Sequence, residues 1–188
     1  MLTKLVCLGD SLTEAYGIAP EKGWVALLKE DLGISIVNHG ISGDTTAGML
    51  ARFQTEIKPQ HPSHLILMGG TNDISLNMPY ETILGNVLAI SRHAKHMNCQ
   101  IIIGIPPSSF YNDESMKSEV FLGPEAFQSK LSEWQAVLRN FALEDGLPVI
   151  DFSDVLQKEH FLNDGVHPNE KGHLAMKYHV LKVLKSLS

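Results

Sequence analysis

Cysteine is scarce in this chain. Its 188 residues hold two, Cys7 and Cys99. Two thiols so placed make neither a disulfide framework nor a zinc site, and each lies in an apolar run that reads as a buried strand or its edge. Clustered positive charge is missing too. The formal net charge is −6, and no Lys/Arg run exceeds a pair. Such a chain has no electrostatic footprint for nucleic acid and little attraction to anionic lipid. No segment reaches the ~18 consecutive apolar residues of a membrane span. The first residues lack the charged n-region, long apolar h-region and cleavage site of a secretory leader. If Met1 is the natural start, the expected compartment is the cytoplasm. No repeat, low-complexity tract or linker interrupts the chain, so a single domain over residues 1–188 is expected.

Apolar residues make up 44 % of the sequence, enough to bury a core. Five short apolar runs stand out: Leu5–Leu8, Ile34–Val37, Leu65–Met68, Ile101–Ile105 and Val149–Ile150. Each is too short for a helix, carries β-branched residues or is bounded by turn residues, and reads as a buried parallel strand. Amphipathic stretches lie between and after them, at Trp24–Leu32, Ala47–Ile57, Tyr80–His96, Pro124–Leu143 and Glu170–Leu187. Leu131, Trp134, Val137, Leu138 and Phe141 follow helical spacing, as do Leu174, Tyr178, Leu181 and Leu184. Alternating strand and helix predicts a three-layer α/β/α sandwich. Its five-stranded parallel sheet is expected in the flavodoxin-like order 2-1-3-4-5. In such a fold, sites gather beyond the carboxyl ends of the strands.

Those strand ends carry small polar residues and glycines. Gly9-Asp10-Ser11-Leu12 follows the first run, Asn38-His39-Gly40-Ile41-Ser42-Gly43-Asp44-Thr45 the second, and Gly69-Gly70-Thr71-Asn72-Asp73 the third. Beyond the fifth comes Asn163-Asp164-Gly165-Val166-His167-Pro168. Acyl transfer needs a nucleophile with a base, a group that orients the base, and donors for a developing oxyanion. Ser11 is the candidate nucleophile. Of nine histidines, His167 is the best candidate base, because Asp164 stands three residues before it across a turn that can bring carboxylate to imidazole. Asn72 can supply a side-chain N–H, and Ser11 and Gly43 can supply backbone amides. Each piece also has a plain reading. Ser11 could cap a helix, Asn72-Asp73 and Asp164-Gly165 could be turns, and Asp10, Asp44 and Asp73 read as structural. The pairs His93/His96 and His173/His179 lack a third ligand at a sensible spacing, so no metal site is expected. His39 and His160 flank the motifs without a defined role.

Taken together, these four blocks resemble the SGNH (GDSL) hydrolase superfamily of esterases, lipases and thioesterases. They occur in the family's order and span residues 9 to 168. The resemblance implies Ser11 as nucleophile and oxyanion donor, Gly43 as amide donor, Asn72 as side-chain donor, His167 as base and Asp164 as its orienter. It also implies a flavodoxin-like domain, no cofactor, and a small-molecule acyl ester or thioester as substrate. Within the superfamily the chain is most similar to small bacterial lysophospholipases and thioesterases.

Three rivals fit less well. The α/β-hydrolase elbow needs G-x-S-x-G, whereas Gly9-Asp10-Ser11-Leu12-Thr13 ends in Thr. A flavin protein would place a phosphate loop after the first strand, where Asp10 and Glu14 stand. A receiver would need an acceptor Asp after the third strand and a Lys after the fifth, where Gly69-Gly70 and Asp151 stand. Acyl transfer to an alcohol uses the same acyl-enzyme and stays open. One long irregular stretch remains, Pro106–Gly123. It holds Phe110, Tyr111, Met116, Phe121 and Leu122, which either only cover a helix or wall an acyl pocket; in the second reading Phe110, Tyr111 and Phe121 are its substrate-binding residues.

Overall fold

A computed structural model describes residues 2–113 and 120–187. The strands are β1 (Lys4–Gly9), β2 (Ser35–Gly40), β3 (His64–Met68), β4 (Gln100–Ile105) and β5 (Val149–Asp151). They form one parallel sheet in the order β2-β1-β3-β4-β5, as expected. The helices are α1 (Ser11–Glu14), α2 (Trp24–Leu32), α3 (Thr46–Arg52), α4 (Thr71–Ser75), α5 (Tyr80–His96), α6 (Pro124–Glu144) and α7 (Glu170–Ser186).

Side-chain alternation divides the core between the two faces of the sheet. Val6 and Leu8 of β1, Leu65 and Leu67 of β3, and Ile101 and Ile103 of β4 pack in one layer with Ile83, Val87 and Ile90 of α5 and Leu131, Trp134 and Leu138 of α6. Leu5, Cys7, Ile66, Met68 and Ile102 point the other way, onto Trp24, Val25 and Leu28 of α2 and Met176, Val180 and Leu184 of α7. Both faces are covered over the central strands β1, β3 and β4, so these need apolar residues at nearly every position after the first and read as unbroken runs; the edge strand β2 is more exposed. Both cysteines are free and buried, and burial pushes both thiols up, so they stay protonated.

Two helical expectations need correction. The stretch Ala47–Ile57 is not one helix. After Arg52 the backbone widens over Phe53–Ile57, where the Lys58 N–H donates to Phe53 O, and this turn brings Phe53 and Ile57 into the core together. On α7 the apolar stripe was misplaced. Leu174 and Tyr178 are exposed, while His173, Met176, Lys177 and Val180 join Leu181 and Leu184 on the buried face. Both stripes satisfy helical spacing. A buried histidine and a lysine whose stem lies along the core disguised the true one.

The register aligns the strand ends. Gly9 pairs with Gly40 on one side and with Met68 on the other. Chain order reverses between β1 and β3, so the segments after them run to opposite faces and leave a crevice between. Ser11 begins one of the short helices that open there, and Asn72 is the second residue of the other.

Candidate active site

Asp10 caps α1: its Oδ1 accepts the Leu12 N–H over 3.0 Å. Ser11 is therefore the first residue of the helix rather than its cap, and its own N–H has no helical acceptor. Asp10 is wholly buried. Burial pushes its carboxyl up to about 7, against the pull of the Leu12 amide. It contributes structure to the loop, as expected.

The Ser11 hydroxyl lies 2.9 Å from His167 Nε2. His167 Nδ1 lies 2.8 Å from Asp164 Oδ2. Since an ionised carboxylate only accepts, His167 Nδ1 carries a proton, and in the neutral imidazole Nε2 is then the acceptor for the Ser11 hydroxyl. The other oxygen of Asp164 accepts the Val166 N–H (2.8 Å) and the His167 N–H (2.9 Å). Partial burial alone would raise the Asp164 carboxyl. The His167 amide and imidazole with the Val166 amide outweigh it and hold the group below its usual range, so Asp164 stays ionised at neutral pH.

The loop that carries this pair is braced. Leu162 N–H donates to His167 O over 2.8 Å, and Phe161 bridges Pro168. The Gly165 carbonyl accepts from the Phe110 N–H (2.7 Å) and the Ser109 hydroxyl (3.0 Å). Tyr16 adds a ring contact, its centroid 4.6 Å from that of His167. No sequence motif singles out Tyr16. It follows Ala15, whose φ of +79° no residue pattern announces.

Asn72 lies in the first turn of α4. One N–H of its amide donates to Asp44 O over 2.9 Å, which leaves the second for another acceptor. Gly43 sits at φ +81°, and its N–H meets no protein acceptor among the described residues. Asp73 and Asp44 have structural partners, as expected. Asp73 accepts the Thr46 N–H (3.0 Å) and hydroxyl (2.7 Å), and Asp44 pairs with Arg52 Nε at 2.8 Å.

A cavity of about 420 Å³ opens beside these groups. Ser11, Asn72, Asp164 and His167 line one part of it, and Tyr111, Phe121, Leu122 and Phe127 another. Phe127 belongs to α6 and was not anticipated. Phe110 is a correction: it is not among the lining residues and packs instead on Phe161, with ring centroids 5.4 Å apart. Its backbone, not its ring, serves the site. Met116 lies outside the described residues.

The remaining histidines have other settings. His93 stacks on Phe53, His39 pairs with Glu56 at 3.7 Å, and His160 Nδ1 accepts the Gln157 N–H. His173 is fully buried and accepts the Trp24 N–H, and burial pushes its imidazole down to about 4. Among the described residues, no three His, Cys, Asp or Glu side chains cluster as metal ligands would, and no helix is long and apolar enough to cross a membrane.

Known proteins share the sequence and fold of this chain. Residues 7–175 match the sequence profile of the GDSL-like lipase/acylhydrolase family. The chain is 30 % identical to an arylesterase of Vibrio mimicus over 175 residues, covering 88 % of this chain and 80 % of that protein. It is 29 % identical to thioesterase 1/protease 1/lysophospholipase L1 of Escherichia coli K12, over 88 % of this chain and 75 % of the relative. A crystal structure of a member of the lipolytic G-D-S-L family from Veillonella parvula superposes with a TM-score of 0.80 at 25 % identity, covering 97 % of this chain and 98 % of that one.

Proposed function

The chain belongs to the GDSL-like lipase/acylhydrolase family and is an ester-cleaving acylhydrolase, and we propose that it works through an acyl-enzyme on Ser11. The observation that carries this reading is the row of hydrogen bonds Ser11–His167–Asp164 along the cavity wall. In the first half-reaction the Ser11 oxygen attacks the substrate carbonyl while its proton passes to His167 Nε2. Asp164 stabilises the imidazolium so formed. The tetrahedral intermediate bears an oxyanion, which takes hydrogen bonds from the Ser11 and Gly43 amides and the free N–H of Asn72. Collapse expels the alcohol or thiol, which leaves with the proton from His167. In the second half a water attacks the acyl-serine, gives its proton to His167, and the acid is released as Ser11 recovers its own. Every step uses groups of this chain and water.

The acyl group occupies the apolar side of the cavity, against Tyr111, Phe121, Leu122 and Phe127. The substrate is a small-molecule ester or thioester, drawn from short acyl esters, acyl thioesters, lysophospholipids and acetylated sugars. Residues 1–188 act as one domain, with the cytoplasm as the compartment, testable by fractionation. The deciding experiment is a panel of acyl chain lengths on oxygen and sulfur leaving groups. It supports the reading if hydrolysis responds to acyl length, and contradicts it if no ester or thioester is turned over.

A further inference from the structure

The direction of the Gly43 N–H is the direction of its peptide plane, and a turn sets that plane. The Asp44 N–H donates to Ile41 O over 3.1 Å, closing a β-turn over Ile41–Asp44. Gly43 is the third residue of this turn. Its φ of +81° is that of a type II turn, where glycine is favoured. Types I and II differ in the central peptide, here the Ser42 carbonyl and the Gly43 N–H, which is turned over between them. Turn type therefore decides which way this donor points.

The ends of the turn are tied down. The Ile41 N–H donates to Gly9 O over 3.1 Å, Asn72 Nδ2 donates to Asp44 O, and Arg52 holds the Asp44 carboxylate. Its centre is held through Ser42. The Ser42 N–H donates to Glu14 Oε2 over 2.6 Å, and the Ser42 hydroxyl donates to the same oxygen. Glu14 ends α1, the helix that Ser11 begins. One carboxylate oxygen thus links the helix of the nucleophile to the residue just before Gly43. Glu14 is not among the residues that line the cavity.

We propose that Glu14 is a positioning residue for the oxyanion hole, holding Ser42 so that the Gly43 N–H stays turned toward the developing charge. This rests on Gly43 acting as an oxyanion donor. Glu14 and Ser42 are exposed, so water competes for these bonds and their loss does not unfold the chain. It frees the central peptide to turn over, and the fraction of molecules with a complete hole falls. Complete loss of an oxyanion donor typically costs about 10²–10³ in kcat, and partial loss of its orientation costs less, about tenfold.

The test is steady-state kinetics on a p-nitrophenyl ester, with melting temperature in parallel, for wild type, Glu14→Ala, Glu14→Gln, Ser42→Ala and the double variant. Asn72→Ala serves as the reference. Glu14→Ala lowers kcat about tenfold with KM and melting temperature nearly unchanged. Glu14→Gln restores most of the rate, because its amide oxygen accepts the same two donors. Ser42→Ala loses less, since the backbone bond remains, and the double variant is no worse than Glu14→Ala alone. The proposal is overturned if Glu14→Ala turns over like wild type while Asn72→Ala is crippled, which leaves the acyl-enzyme reading intact. It is overturned equally if the rate falls only in step with melting temperature, or if KM rises while kcat holds. If Asn72→Ala is also unimpaired, the oxyanion-hole assignment falls and this proposal with it.

Discussion

Gly70 and Gly43 both sit at positive φ, +103° and +81°, but their surroundings differ. A Cβ on Gly43 would meet nothing within 4 Å, whereas a Cβ on Gly70 would lie 2.2 Å from Trp134 Nε1. Gly43→Ala therefore carries backbone strain alone, roughly 1–2 kcal/mol. Gly70→Ala carries the same strain plus the cost of overpacking a buried indole, typically about 1–3 kcal/mol. The totals are roughly 1–2 against 2–5 kcal/mol. For a chain of this length each kcal/mol lowers the melting temperature by about 2–4 °C. The indole cannot retreat freely, because Trp134 is fully buried and its Nε1 donates to Gly69 O over 3.1 Å. The strain passes to the loop before Asn72, so kcat falls as well. The assay is urea and thermal unfolding of both variants, repeated in a Trp134→Leu background. Leu ends at Cδ and lacks the two atoms nearest the new methyl, Nε1 and Cε2, so Gly70→Ala becomes cheaper there while Gly43→Ala does not. Equal costs for the two glycines, or an undiminished Gly70→Ala cost beside Leu, would refute this reasoning.

Asn72→Ala lowers kcat by about 10²–10³-fold with little change in KM, since an oxyanion donor acts on charge that exists only in the transition state; an unchanged kcat returns Asn72 to its hydrogen bond with Asp44. Phe121→Ala and Tyr111→Ala shift acyl-length preference in a graded way, about 1–3 kcal/mol for each methylene that loses contact, while acetyl esters are nearly unaffected. Phe110→Ala lowers stability and all chain lengths together. Profiles of kcat/KM from acetyl to decanoyl esters, with melting temperatures, separate the two behaviours. The fourth prediction concerns acid. The folded state keeps His173 neutral down to about 4, while the unfolded chain takes the proton near 6.5, so stability present above pH 6.5 is lost as pH falls toward 4. The loss between pH 7 and pH 5 is about 2 kcal/mol. Chemical denaturation shows it as a shrinking stability gap between wild type and His173→Gln; a gap constant with pH contradicts it.

Much of this molecule was legible in its sequence because strands buried on both faces leave no alternation to misread. Leu65–Met68 and Ile101–Ile105 are continuous apolar runs for that reason, and the glycines and small polar residues after them mark where the chain turns above the sheet. That Ser11, Asp164 and His167 come together was legible because two of them share a five-residue loop and the third follows the first strand. What escaped depends on three-dimensional packing. The buried stripe of α7 runs through His173 and Lys177, polar residues that a periodicity count discards. Phe110 and Tyr111 are neighbours in one loop, yet the first packs on Phe161 and the second lines the cavity. Nothing in their order could assign those directions. Tyr16 reaches His167 through a left-handed residue that is alanine rather than glycine, and the Glu14–Ser42 contact joins residues 28 apart.

The most direct test of the account is whether Ser11 carries the acyl group. Wild type and Ser11→Ala are treated with a fluorophosphonate, which reacts with activated serines, and the intact mass and tryptic peptides are measured. Turnover of a p-nitrophenyl ester is followed in the same samples. The account predicts a single adduct on the wild type, mapped to Ser11 and matched by loss of activity. It predicts a folded Ser11→Ala protein that takes no label and hydrolyses no ester. Labelling at another residue, or undiminished turnover by Ser11→Ala, would contradict it.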